Sequence, residues 1–432
     1  MCNKHLLIIL LLSTLITASF MVNLDVVDKT PSATSYSTGI YHTNKSITTS
    51  LPDYSEIINS INADSLAWFV QQLENMGTRF CYANNRFEVS HWIADQFTRL
   101  GYSDVSLDPF TSEANNLGQV DQLNVIAILE GRLYPDEYII IGAHHDSFSS
   151  SYTHSMTTAP GADDNASGTA AVLEIARVLK LHNVQPLYSI RFMTYAMEEL
   201  WMHGSYHDAA KVVEEGINIR AMFNLDMIGN QPDDLDWIFK IVRYPNGDFL
   251  LNKALARAEQ MDMQIFSTYE GMHLSDGIPY YQIGVPVIYF FEYHFSEQYH
   301  SDTDILVNLN LPYFEMFTKL IAYTLLDVIN DDNLINEEDK TQPLFANLNL
   351  NNYPNPFNPS TTIEFTLRQP SFAEINIFDI RGKLVKQYPR TKYLSGVNKI
   401  QFDAETLSSG VYFYRIKTDY EITETKKMVL MK

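Results

Sequence analysis

Two histidines and a set of carboxylates recur in five short motifs along this chain: GAHHDS (142–147), PGADDNASG (160–168), MEEL (197–200), NLDMIG (224–229) and QYHSDTD (298–304). Imidazole nitrogens and carboxylate oxygens are the donors that bind Zn2+, and a pair of ions needs a set of this kind. Two metals side by side make water acidic enough to attack an amide, so the chemistry indicated is metal-assisted hydrolysis. One His or Asp alone would more often be structural. Five motifs converging on one place reverse those odds.

The elements around the motifs supply that place. Apolar runs predict strands at Asn124–Leu129, Tyr138–Ile141, Ser189–Ala196, Ala221–Leu225 and Val287–Phe291. Most are continuous, as strands covered on both faces are. Helical spacing fits Phe87–Leu100, Ala166–Lys180, Asp248–Met261 and Pro312–Ile329. The alternation predicts an α/β fold with a mixed, mostly parallel sheet covered by helices. In such sheets ligands bind outside the carboxyl ends of the strands. His144, the Glu198–Glu199 pair, Asp226 and His300 each follow a strand, and Asp164 precedes a helix.

The order and wording of these motifs resemble the co-catalytic di-zinc aminopeptidases, metallopeptidase family 28, over roughly Asp53 to Asp327. The resemblance implies two Zn2+ per chain. His144 and Asp226 would then hold one metal, Glu199 and His300 the other, and Asp164 would bridge both. Glu198 would be the general base for a water shared by the metals. Asp146, two residues past His144, could accept the free ring N–H and fix the imidazole tautomer. His145 is expected to be structural or exposed, and Asp163 to contact backbone. Three departures stand out. Trp201 and Gly277 replace a family glycine and a family histidine, and a glycine is absent from Phe291–His294. Glu292 could meet a substrate amine or simply be a solvated loop acid. Trp201, Met202, Tyr280, Tyr281 and Tyr293 could line an apolar pocket for an N-terminal side chain.

The chain of 432 residues predicts two domains. Residues 1–19 read as a signal peptide: Lys4 and His5, an apolar core from Leu6 to Ile16, then Thr17-Ala18-Ser19. That core is too short to span a bilayer. Residues 20–50 read as a linker or propeptide without folded elements, 51–330 as the catalytic domain and 331–347 as a second linker. Residues 348–432 read as a small all-β immunoglobulin-like sandwich with turn-rich spacing. Tyr353-Pro354-Asn355-Pro356-Phe357-Asn358-Pro359, Ile377–Gly382, Ser409–Tyr414 and the basic end resemble a type A carboxyl-terminal sorting domain of the type IX secretion system. That resemblance implies export by the type IX machinery to the surface or surroundings of a Gram-negative-type bacterium.

Charge agrees with such a division. Residues 351–432 hold 12 Lys/Arg against 8 Asp/Glu, while the first 350 hold 18 against 44, a balance of −26. An acidic body repels nucleic acid and anionic membranes, so neither is an expected partner, and no stable membrane insertion is expected. Cys81 would be the only thiol left after signal removal, so no disulfide staples the mature chain. The function expected is a secreted zinc aminopeptidase acting on peptide or protein N-termini. The alternatives are a glutaminyl cyclase with one zinc on the same fold, or a carboxypeptidase or dipeptidase of the same clan. A non-catalytic binding protein on this fold is disfavoured by the intact Glu198 and ligand set.

Overall fold

A computed structural model describes residues 39–41, 51–114, 117–244, 246–268, 275–332, 334, 350–367, 371–393, 396–418 and 423–432. The expected signal segment lies outside them, as do nearly all of both expected linkers.

Nine strands form one mixed sheet. They are β1 (Gly39–Tyr41), β2 (Asp104–Glu113), β3 (Gln119–Leu129), β4 (Tyr134–His144), β5 (Tyr188–Tyr195), β6 (Asn218–Leu225), β7 (Ile238–Arg243), β8 (Gln264–Thr268) and β9 (Val287–Glu292). The spatial order is β1-β8-β7-β9-β6-β4-β5-β3-β2. At the centre β5, β4, β6 and β9 are parallel. Strands β7 and β8 pair in parallel, while β7 meets β9 antiparallel and the flanks β3, β2 and β1 are antiparallel. The central register aligns Gly142 with both Met193 and Asn224, and Leu225 with Phe290. Four carboxyl ends therefore lie side by side.

Alternation along each strand feeds two cores, as a period of two requires. Ile139, Ile141 and Ala143 enter the larger cluster with the helices Ala63–Glu74, Arg86–Arg99, Gly168–Leu181 and Leu311–Ile329. Ile140, Met193, Met222 and Val287 enter the other, against the helices His203–Glu215 and Gly277–Gln282. Each such fully buried aliphatic side chain contributes about 1.5–3 kcal/mol through area removed from water.

Residues 350–432 make two antiparallel sheets, β10 (Asn351–Tyr353), β11 (Ser360–Leu367) and β14 (Gly396–Asp403), and β13 (Leu384–Tyr393), β12 (Ser371–Asp379), β15 (Gly410–Thr418) and β16 (Thr423–Leu430). Ile363, Phe365 and Phe402 from the first sheet and Ile375, Ile377, Tyr414 and Met428 from the second share one apolar cluster. This is the expected sandwich.

Several elements carry no strong sequence signal. Strand β2 contains Pro109 and alternates between exposed and buried positions at the sheet edge, and β13 is nearly all solvated. Strand β1 corrects the reading of residues 20–50 as wholly unfolded. Its three residues pair with β8 through backbone, which requires no apolar pattern.

Candidate metal centre

His144 closes β4, Asp226 follows β6, and Glu198 and Glu199 occupy the turn after β5. Asp164 lies in the irregular segment leading into helix Gly168–Leu181, and His300 in the loop after β9. Their side chains converge. His144 Nε2 lies 3.3 Å from Asp164 Oδ1 and 3.3 Å from Asp226 Oδ1. His300 Nε2 lies 3.3 Å from Asp164 Oδ2 and 2.8 Å from Glu199 Oε2. Among the described residues, the groups compact enough to hold a metal ion are His144–Asp164–Asp226 and Asp164–Glu199–His300. Asp164 belongs to both and turns one oxygen to each histidine. Glu198 Oε2 stands 3.8 Å from His144 Nε2, beside the first group.

Backbone geometry sets this arrangement. The Asp146 carboxylate accepts the Glu198 N–H at 3.0 Å and the Glu199 N–H at 3.3 Å, tying the glutamate turn to the end of β4. His144 Nδ1 lies 3.2 Å from the Asp146 carbonyl and 3.4 Å from its carboxylate. Asp146 thus serves the turn more directly than the imidazole. The turn itself is strained: Met197, Trp201 and Met202 all have positive φ, at 63°, 90° and 57°. It is closed by the Glu198 carbonyl, which accepts from the N–H groups of both Trp201 and Met202 at 2.8 Å.

Other sequence candidates separate by burial. His145 is buried, its ring facing Thr194 and Ser90 hydroxyls, and burial pushes its pKa down to about 4. Asp163 accepts the Gly229 N–H at 2.8 Å. Glu292 is not a solvated loop acid: it is fully buried, faces Asp163 and accepts the Ser296 N–H. Of the expected pocket residues, Trp201 is 60% exposed, but Tyr280 is buried and bonded to Asp208 and Tyr195. Met202 is core as well.

Sequence reasoning missed the aromatic wall beside His300. Tyr299 stacks on the His300 ring at 3.7 Å between centroids, and Phe148 meets that ring edge-on at 4.9 Å. Phe295 packs on Tyr299 at 4.9 Å, and both remain partly open to solvent. The signal was present in the FSEQYH run, an aromatic at each end of the segment before a metal-type histidine.

The electrostatics of the cluster are those of a site short of positive charge. Burial pushes Glu199 and Asp276 each up to about 7 and Asp304 up to about 8, and it pushes Glu198 well above the carboxylate range. Burial acts on Asp164 in the same direction, but hydrogen bonds from His144 and His300 hold it below that range. Glu199 Oε1 is buried with no hydrogen-bond partner among the described residues. Divalent cations would relieve both features, and two His with three carboxylates are a zinc-type donor set.

Known proteins agree with this chemistry. Residues 124–325 match the model of peptidase family M28, and residues 351–431 match that of the secretion system C-terminal sorting domain. The first segment is thus similar to the M28 peptidases over somewhat less than half of the chain. A "Probable zinc metalloprotease" from Pyrenophora teres f. teres (strain 0-1) is 30% identical over 41% of this chain and 41% of its own length. The chain thus spans well under half of that relative. A "Probable leucine aminopeptidase" from Arthroderma otae is 27% identical over 61% of this chain and 72% of its own. Among solved structures, LapB from Legionella pneumophila shares the fold at TM-score 0.57 and 23% identity, over 67% of this chain and 79% of that one. A Fimbriiglobus ruber glutaminyl cyclase also shares it, at TM-score 0.54 and 15% identity, over 66% and 99%. The chain is thus similar to zinc metallopeptidases in its first segment and to a secretion sorting domain in its last. Among the described residues, no helix is long and apolar enough to cross a membrane.

Proposed function

We propose that this protein is an exported di-zinc aminopeptidase that removes N-terminal residues from peptides. The observation that carries the reading is Asp164, one carboxylate facing two separate His–carboxylate groups. His144 and Asp226 would hold one zinc, Glu199 and His300 the other, and Asp164 both. Bound zinc supplies Lewis acidity, polarising the scissile carbonyl and making water easier to deprotonate near neutral pH.

The chain's own residues supply the rest. Glu198 takes the proton of the attacking water and returns it to the leaving amine. Its carboxylate stands beside the His144–Asp164–Asp226 group, where such a proton carrier is needed. Asp146 aims that carboxylate by accepting the N–H groups on either side of the Glu198 α-carbon. Tyr299 and Phe295 offer an apolar surface beside His300, which fits a substrate with a large apolar N-terminal side chain. Residues 1–19 would direct passage of the inner membrane and residues 348–432 passage of the outer one, through the type IX machinery.

The test uses metal-loaded protein on leucine p-nitroanilide and on the same compound blocked at its amine, with zinc counted by elemental analysis. Two zincs per chain and release from the free-amine compound alone are expected. Cleavage of the blocked compound would replace the exopeptidase reading. One zinc together with cyclisation of an N-terminal glutamine peptide would replace it with a cyclase.

A further inference from the structure

Arg79 lies in the segment between the helices Ala63–Glu74 and Arg86–Arg99 and is 1% exposed. A buried guanidinium needs hydrogen-bond partners, and each of its three nitrogens donates to a backbone carbonyl. Nε donates to the His145 carbonyl at 2.9 Å, Nη1 to Pro160 at 2.6 Å and Nη2 to Gly161 at 2.8 Å. The Arg79 backbone N–H donates to Ser147 Oγ at 3.2 Å, and that hydroxyl donates to the Ala159 carbonyl at 2.7 Å. A backbone bridge between Thr78 and Ala159 runs alongside.

These bonds join two loops. Residues 145–147 continue directly from His144 and include Asp146, while residues 159–161 lead into Asp163 and Asp164. The seat is close-fitting: a Cβ on Gly161, at φ +50°, would stand 2.9 Å from Arg79 Nη2 and 2.6 Å from Ser147 Cβ. Asp304, Asp146, Asp164 and Glu199 surround the guanidinium with negative field. A rigid planar fork spreads its donors over three nitrogens, which here reach three carbonyls on two loops, whereas the three N–H groups of a lysine radiate from one nitrogen on a flexible stem.

We infer that Arg79 is a positioning residue of the metal centre: its guanidinium, bonded to the carbonyls of His145, Pro160 and Gly161, sets the spacing of His144 and Asp164. The inference rests on the proposed ligand roles of those two residues. Arg79 touches neither metal nor substrate in this role. It acts through the two loops, as groups behind metal ligands do when their loss weakens metal binding about 10–100-fold.

The experiment compares full-length wild type, Arg79→Lys and Ser147→Ala. It measures circular dichroism of the metal-free proteins, zinc affinity by competition with a chromophoric chelator, and the visible spectrum after cobalt loading. Folded Arg79→Lys with zinc affinity reduced by about tenfold or more and a displaced cobalt spectrum is expected. Wild-type affinity and an unchanged cobalt spectrum in that variant would overturn the inference. If Arg79→Lys does not fold, Ser147→Ala decides, weakened zinc binding supporting the inference and wild-type binding overturning it. Wild type that binds no zinc would instead remove the ligand reading beneath it.

Discussion

The carboxyl edge of the nine-stranded sheet and the C-terminal sandwich treat charge in opposite ways. At the sheet edge His144, Asp146, Asp163, Asp164, Asp226, Glu292 and Asp304 are all buried, beside a buried Arg79. In the sandwich the shared cluster is apolar, and charged residues such as Arg381, Lys399 and Glu405 stay in water. Burying a lone ionised group costs several kcal/mol unless it is paired or coordinated. A fold retains such a cluster where a ligand or a reaction uses it. Among the described residues of the sandwich no such cluster is found.

The largest expected effect separates the two regions by activity. Glu198→Ala should lower kcat by about 10²–10⁴-fold with zinc content unchanged, read by p-nitroanilide assay and elemental analysis. Arg415→Ala on the sandwich should leave kcat alone. Loss of metal in the first variant would return Glu198 to the ligand set.

Removing the metal should expose the buried acids. Burial raises Glu199 and Asp276 to about 7 and Asp304 to about 8, against about 4 in an unfolded chain. Acids raised in this way bind more protons folded than unfolded. Their stabilisation is complete below about pH 4 and is lost as pH rises toward about 8. Chelated protein should therefore melt at progressively lower temperature across that range, and zinc should reverse the trend. In the sandwich, backbone hydrogen bonds from Lys383 lead in pulling Asp379 below its usual value, so its small contribution has the opposite sign and fades in acid. A flat melting curve for the chelated enzyme would break the contrast.

Ile375→Ala in the sandwich core should cost about 2–5 kcal/mol of that region's stability, visible in urea unfolding, while kcat stays at the wild-type value. A fall in kcat would mean the two regions are coupled. The smallest effect is expected from Tyr299→Ala, a several-fold rise in KM for leucine p-nitroanilide with less change for the alanine compound. Equal changes for both would assign Tyr299 to holding His300 alone.

Sequence by itself determined the central strands and the residues that end them. The apolar runs of β4, β5, β6 and β9 are local signals, and a residue just past a strand is placed by the chain connection itself. His144, the glutamate pair and Asp226 were legible for that reason, Asp164 by its place ahead of a helix and His300 by its motif in the loop after a strand, and the turn-rich tail announced the sandwich. Tertiary structure alone decided the rest. Strands β1 and β2 are edges held largely by backbone pairing, which leaves little trace in side-chain pattern. Glu292 looks like any loop acid until the packing around β9 excludes water from it. Asp146 proves to hold the glutamate turn because two N–H groups fifty residues away are brought to it. Arg79 makes the same point most fully, since its side chain bonds to carbonyls, which every residue has and no sequence motif can mark.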